Sequence, residues 1–78
     1  MIRVLLADDQ TLVREGLTLM LGLMEGVEVV GAAEDGETAV AIALAERPDV
    51  ALLDLRMPRV DGVEATKRLR RQLEDMTP

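Results

Sequence analysis

The 78-residue chain contains no cysteine, no histidine and no aromatic residue of any kind. Without thiols or imidazoles there is no disulfide, no thiolate nucleophile, none of the common zinc sites and no histidine to act as a general base. Without Phe, Tyr or Trp there is no side chain on which a nucleic-acid base could stack. Positive charge is also scarce: 9 Lys and Arg stand against 15 Asp and Glu, a formal net charge of -6. Phosphate backbones and anionic lipids are bound by basic surfaces, so this segment by itself is expected to bind neither DNA nor a membrane. A cation suits its charge better. No stretch approaches the ~18 consecutive apolar residues of a membrane span. The apolar run from Met1 to Ala7 is too short for the hydrophobic region of a secretion signal and is followed by two acids, Asp8 and Asp9. The expected location is the cytoplasm. The chemistry left to the chain is that of hard oxygen ligands.

What is present is globular in character. Hydrophobic residues make up 49% of the chain and charged ones 31%, which separates it from disordered sequences, and its core must be built from Leu, Val, Ile, Ala and Met. A chain of this length is one domain at most and buries only about 60 to 65% of its unfolded surface, so its stability is marginal. The central stretch runs from Val50 to Gly62, V-A-L-L-D-L-R-M-P-R-V-D-G. Val50 to Leu55 is nearly continuous apolar sequence, as in a parallel strand covered on both faces, and Asp54 interrupts it. A carboxylate there costs several kcal/mol unless it is paired, solvated or metal-bound. Pro58 and Asp61-Gly62 turn the chain, which places Asp54 at the exposed carboxyl end of the strand.

Taken in order, Ile2 to Ala7 reads as a buried strand that delivers Asp8 and Asp9 to its carboxyl end. From Thr11, the residues Val13, Leu17, Met20, Leu21 and Met24 trace one face of a helix running to about Leu23, with Gly22 and Gly26 at its end. Leu12, Leu19 and Leu23 widen that stripe, and a broadly buried helix explains them more simply than a partner surface does. Val27 to Ala33 suits a second strand at a sheet edge, and Asp35-Gly36 opens a second helix through Thr38 to Ala45, favoured by its alanines over a strand. Arg47-Pro48-Asp49 breaks that helix and feeds the third strand. Asp61 and Glu64 resemble a capping box, followed by a helical face through Val63, Thr66, Leu69, Leu73 and Met76, with the helix ending near Asp75. The basic cluster Lys67, Arg68, Arg70 and Arg71 reads as a solvated face, with Arg70/Glu74 and Arg71/Asp75 at ion-pair spacing.

The βαβαβα order implies a parallel sheet with right-handed crossovers. Two strand arrangements satisfy it. In the order 2-1-3, a topological switch point lies between strands one and three, and Asp8, Asp9 and Asp54 meet there. Neighbouring strands are ~4.8 Å apart, so carboxylates at adjacent ends repel unless a cation joins them, and a small set of hard oxygens suits Mg2+ better than Ca2+.

The strand-end pair Asp8-Asp9, the run L-L-D-L-R-M-P containing Asp54, and the following Asp61-Gly62 together resemble the receiver domain of two-component response regulators. The phrases L-L-A-D-D-Q-T-L-V-R-E-G-L and A-A-E-D-G-E-T-A further resemble the NarL/FixJ (LuxR-type) transcriptional regulators, in which a helix-turn-helix DNA-binding domain follows the receiver. The resemblance covers the whole chain. It implies an α/β, flavodoxin-like (CheY-like) parallel sheet of order 2-1-3, with residues 1–78 forming a partial receiver domain cut after its third βα unit. It also implies that Asp54 is the phosphoacceptor, taking a phosphoryl group from a phosphohistidine on a sensor histidine kinase or from a small phosphodonor. Asp9 would ligate Mg2+ directly, Asp8 through water, and the backbone carbonyl of Arg56 would be a further ligand beside Asp54. A carboxylate nucleophile needs no general base, so the missing histidine is no obstacle. The chain is thus expected to be a phosphoacceptor, not an enzyme, and to act on transcription through the DNA bound by its longer parent.

The sequence departs from that family pattern in one respect. The family's hydroxyl residue on a fourth strand and Lys on a fifth have no counterpart here, since Thr77 precedes the fourth strand and Lys67 lies in helix three. An unpaired, apolar edge on strand three and a part-covered face under helix one are therefore expected, and both favour a homo-oligomer. Other function classes fit less well. Mg2+-dependent phosphatases with an Asp nucleophile resemble D-x-D, whereas Arg56 stands at the second acid's place, and a dinucleotide-binding module needs a phosphate loop where Asp8-Asp9-Gln10 would repel phosphate. A signalling-incompetent fragment serving only for self-association or interaction is the alternative.

Overall fold

The computed structural model describes residues 1–57 and 59–75, with side chains described as far as residue 72. The elements are β1 (Ile2–Ala7), α1 (Thr11–Gly22), β2 (Val27–Ala33), α2 (Gly36–Glu46), β3 (Val50–Leu53) and α3 (Gly62–Asp75). The strands form one parallel sheet in the order β2-β1-β3. This is the 2-1-3 arrangement. β1 is central because its neighbours leave no face of it to water: Val4, Leu5, Leu6 and Ala7 are all buried. Side chains alternate across a strand, and Leu5 and Ala7 point into the core that Ala33, Ala39, Ala43 and Met57 share, with Ile42, Leu53 and Leu69 packed against it. Burying Leu5 and Leu6 contributes roughly 1.5 to 3 kcal/mol each. In the absence of aromatics the layers approach closely on small residues: Ala39 and Ala65 are both fully buried.

At the amino end of the sheet, Arg3 ties three elements together. Its guanidinium bonds the Glu46 carbonyl and pairs with the Glu46 carboxylate at 3.0 Å, while its backbone N–H donates to Asp49 Oδ2 at 2.8 Å. The left-handed backbone of Arg47 (φ 49) ends α2 and turns the chain into β3.

Four details differ from the sequence reading. β3 ends at Leu53, not Leu55: β1 stops at Ala7, which pairs with Leu53, so Leu55 has no ladder partner on β1 and is 68% exposed. Nor is β3 covered on both faces. Val50 and Leu52 are over 40% exposed, because α1 packs over β1 and β2 while α2 and α3 occupy the other face. α1 is not broadly buried, since none of its residues is. Its half-buried line is Arg14, Leu17, Thr18 and Leu21, with Leu12, Leu19 and Leu23 turned to solvent. Finally, α3 turns Gly62, Ala65 and Leu69 inward, leaving Val63 and Thr66 exposed; the close approach of Gly62 to the end of β3 fixes that rotation. The side chain of Leu73 and the whole of Met76 lie outside the described residues, as do the side chains of Glu74 and Asp75, so the two ion pairs spaced with them lie there too. The exposed Arg68 and Arg71 both reach the half-buried Glu64, in keeping with a solvated face.

Candidate functional site

The site forms where the ladder runs out. Past the end of β1, the Asp8 N–H donates to the Ala33 carbonyl at 3.0 Å; past the end of β3, the Asp54 N–H donates to the Ala7 carbonyl at 3.0 Å. These two bonds hold Asp8 and Asp54 side by side at the carboxyl edge of adjacent strands. Asp8, Asp9 and Asp54 each direct a carboxylate oxygen into one cluster, with the oxygens all within 4.8 Å of one another. Asp8 and Asp54 are half-buried and Asp9 is exposed.

Local hydrogen bonds orient the cluster. The Gln10 N–H donates to Asp8 Oδ1 at 2.9 Å, an Asx turn that fixes the carboxylate and starts α1, whose cap at Gln10 has no side-chain bond. Arg14 reaches back from α1, and its Nη1 donates to the Asp8 carbonyl at 2.9 Å. At Asp54, Oδ1 accepts a long bond of 3.3 Å from the Arg56 N–H. Asp61 caps α3 by accepting the Glu64 N–H at 2.9 Å, and the Glu64 side chain pairs with Arg68 and Arg71. The Gly62 N–H donates to the Leu55 carbonyl at 3.3 Å, folding α3 back over the end of β3.

The donor set fits a small hard cation. Two oxygens bound directly to one Mg2+ at ~2.1 Å can be no more than about 4.2 Å apart, so a cluster of this span closes on the ion with a slight side-chain rotation or one bridging water. The arginines at 3, 59, 68 and 71 pair with Glu46, Asp35 and Glu64, and so do not neutralise these acids.

Residues 4–78 match the response regulator receiver domain family. The chain belongs to that family. Within it, the chain is 47% identical over 76 residues to the response regulator GacA of Pseudomonas aeruginosa, covering 97% of this chain and 36% of that protein. It is 49% identical over 75 residues to the transcriptional regulatory protein LiaR of Bacillus subtilis, covering 96% of this chain and 36% of that one. The signal receiver domain of the response regulator NarL from Mycobacterium tuberculosis superposes with a TM-score of 0.89 at 44% identity, covering 92% of this chain and 58% of that domain. The receiver chain thus spans about a third of the length of these curated relatives, and its flavodoxin-like sheet is that of the solved receivers. Among the described residues, no helix is long and apolar enough to cross a membrane.

One buried charge was not singled out from the sequence. Asp35, read there only as a helix start, is 5% exposed, accepts the Thr38 N–H at 2.7 Å and faces Arg59 Nη1 at 3.6 Å. The Thr38 backbone bond holds its carboxyl below the ordinary value of 3.8, helped by the Thr38 hydroxyl and by Arg59 and opposed by burial. The sequence signal was an Asp-Gly pair ahead of a helix; its partner Arg59 lies in a different loop.

Proposed function

We propose that Asp54 accepts a phosphoryl group from the phosphohistidine of a sensor histidine kinase, or from a small phosphodonor, in the cytoplasm. The convergence of Asp8, Asp9 and Asp54 at the end of adjacent strands carries this reading. An Asp54 carboxylate oxygen attacks phosphorus, the bond from phosphorus to the donor's nitrogen or oxygen breaks, and an aspartyl phosphate forms as the donor leaves with that electron pair. Asp9 would hold Mg2+ directly and Asp8 through water, beside Asp54 and the Arg56 carbonyl. When bound, the ion offsets the repulsion between incoming phosphoryl oxygens and three carboxylates. The chain's own residues supply position: the Asp8 and Asp54 backbone bonds fix the two acids, and the Arg56 N–H restrains one Asp54 oxygen. The identity with LiaR, a transcriptional regulatory protein, supports a role in transcriptional control, exerted on DNA through a longer protein.

Intact mass after incubation with Mg2+ and acetyl phosphate tests the reading. The parent chain gains one phosphoryl group and Asp54→Asn does not; an unmodified parent that is shown to be folded would overturn it. A second reading, a module for self-association alone, is favoured by one observation: among the described residues β3 pairs on one side only, and Val50 and Leu52 are exposed.

A further inference from the structure

The connection from β3 to α3 is fastened to the start of α2 at three places. Met57 packs in the core with Ala39 and Ala43. The Val60 carbonyl lies against Gly36, in the space a β-carbon would need. Between them, the Arg59 guanidinium meets the buried Asp35 carboxylate at 3.6 Å.

Two features of that ion pair exceed what capping a helix requires. Asn or Ser would cap α2 as well as Asp does, without placing at a buried position a charge that the Thr38 N–H and hydroxyl chiefly hold and that Arg59, its side chain 65% exposed, further stabilises. Arg59 has a left-handed backbone (φ 67), a conformation glycine adopts freely and arginine only at a cost. The chain keeps a costly residue where its side chain can reach Asp35. The tether also acts close to Asp54. Arg56 donates its N–H to the Asp54 carboxylate, and Gly62 sits against the Asp54 carbonyl, so the segment Arg59 restrains touches Asp54 from both sides.

We propose that Asp35 is a positioning residue for the acid cluster, acting through Arg59 to hold the β3–α3 connection so that Asp54 faces Asp8 and Asp9. The consequence for Mg2+ rests on the acceptor reading above; the coupling itself does not.

The test uses the full chain, labelled with 15N, in three variants. Asp35→Asn keeps the cap and the shape but removes the charge, Arg59→Gln removes the counter-charge, and Arg59→Lys retains it. In metal-free protein, the amide resonances of Asp54, Leu55, Arg56 and Gly62 are expected to move in Asp35→Asn and Arg59→Gln and to return towards the parent in Arg59→Lys, while those of α1 stay in place. Calorimetry is expected to show Mg2+ bound about tenfold more weakly by the first two variants, the lower end of what supporting residues around a metal site confer. Unmoved resonances at 54–56 in the folded variants overturn the proposal. So do shifts spread evenly over the chain and equal in Arg59→Lys, which report lost stability alone. If the resonances respond as described but the parent binds no Mg2+, the positional coupling stands and the metal reading fails.

Discussion

The carbonyl oxygen of Asp54 occupies the space that a β-carbon on Gly62 would need. The first residue of α3 therefore rests on the backbone of the central acid, and only a hydrogen at that position allows it. Gly62→Ala must push the two apart, and overpacking of this kind costs about 1 to 3 kcal/mol. Gly16, inside α1, has open space around it, and alanine there is expected to stabilise by about 0.5 to 1 kcal/mol through helix propensity. Urea unfolding followed by circular dichroism measures both, and a Gly62→Ala midpoint equal to that of the parent would refute the close contact.

Asp35 gives stability a specific acid dependence. Its folded pKa lies below 3.8, chiefly because the Thr38 N–H bonds the ionised form. The folded state then binds fewer protons than the unfolded state, so this contribution is complete above the ordinary carboxylate value and is lost as pH falls through the lowered one. The thermal midpoint of the parent should fall more steeply below pH 3.8 than that of Asp35→Asn. Parallel curves from pH ~5 to ~2 would mean that Asp35 is not held ionised.

Metal binding separates the cluster from the other acids. Asp9→Asn removes one carboxylate charge from the three-acid set and is expected to weaken Mg2+ binding at least about tenfold. Glu28→Gln, on the exposed surface of β2, removes the same charge elsewhere and should leave the affinity unchanged. Equal losses in the two variants would reduce the cluster to a general effect of net charge.

The order of strands and helices along the chain, and the placing of Asp8, Asp9 and Asp54 at strand ends, could be read from local signals, apolar runs that stop at an acid; those signals left two sheet arrangements open, and the 2-1-3 order that brings the three acids together followed from the family resemblance. Where such runs stop pairing could not be read, since Leu55 is as apolar as Leu53 and only the end of β1 at Ala7 decides between them. For a related reason the facing line of α1 was legible in part, through Leu17 and Leu21, while Val13, Met20 and Met24 of the same expected stripe are exposed. With leucine at positions 12, 17, 19, 21 and 23, apolar character alone does not choose a side, and the sheet makes use of Leu17 and Leu21. The Asp35–Arg59 pair joins two loops distant in sequence, and no periodicity announces a contact of that kind.

The open side of β3 bears on association. A strand with unpaired N–H and C=O groups and exposed apolar side chains is a template for a second strand, and a charge on such an edge blocks pairing. Leu52 is 43% exposed, so lysine there removes little buried surface and should change stability by no more than about 0.5 kcal/mol. If copies of the chain pair along β3, the parent sediments as a dimer or larger species at high concentration, and Leu52→Lys shifts it to monomer, with unfolding midpoints that agree at dilutions where both are monomeric. A parent that is monomeric throughout would exclude edge pairing. An oligomer unaffected by Leu52→Lys would instead direct attention to the leucines on the exposed side of α1, where Leu12→Ser and Leu23→Ser should then disperse it, since both residues are 85% exposed and neither supports the core.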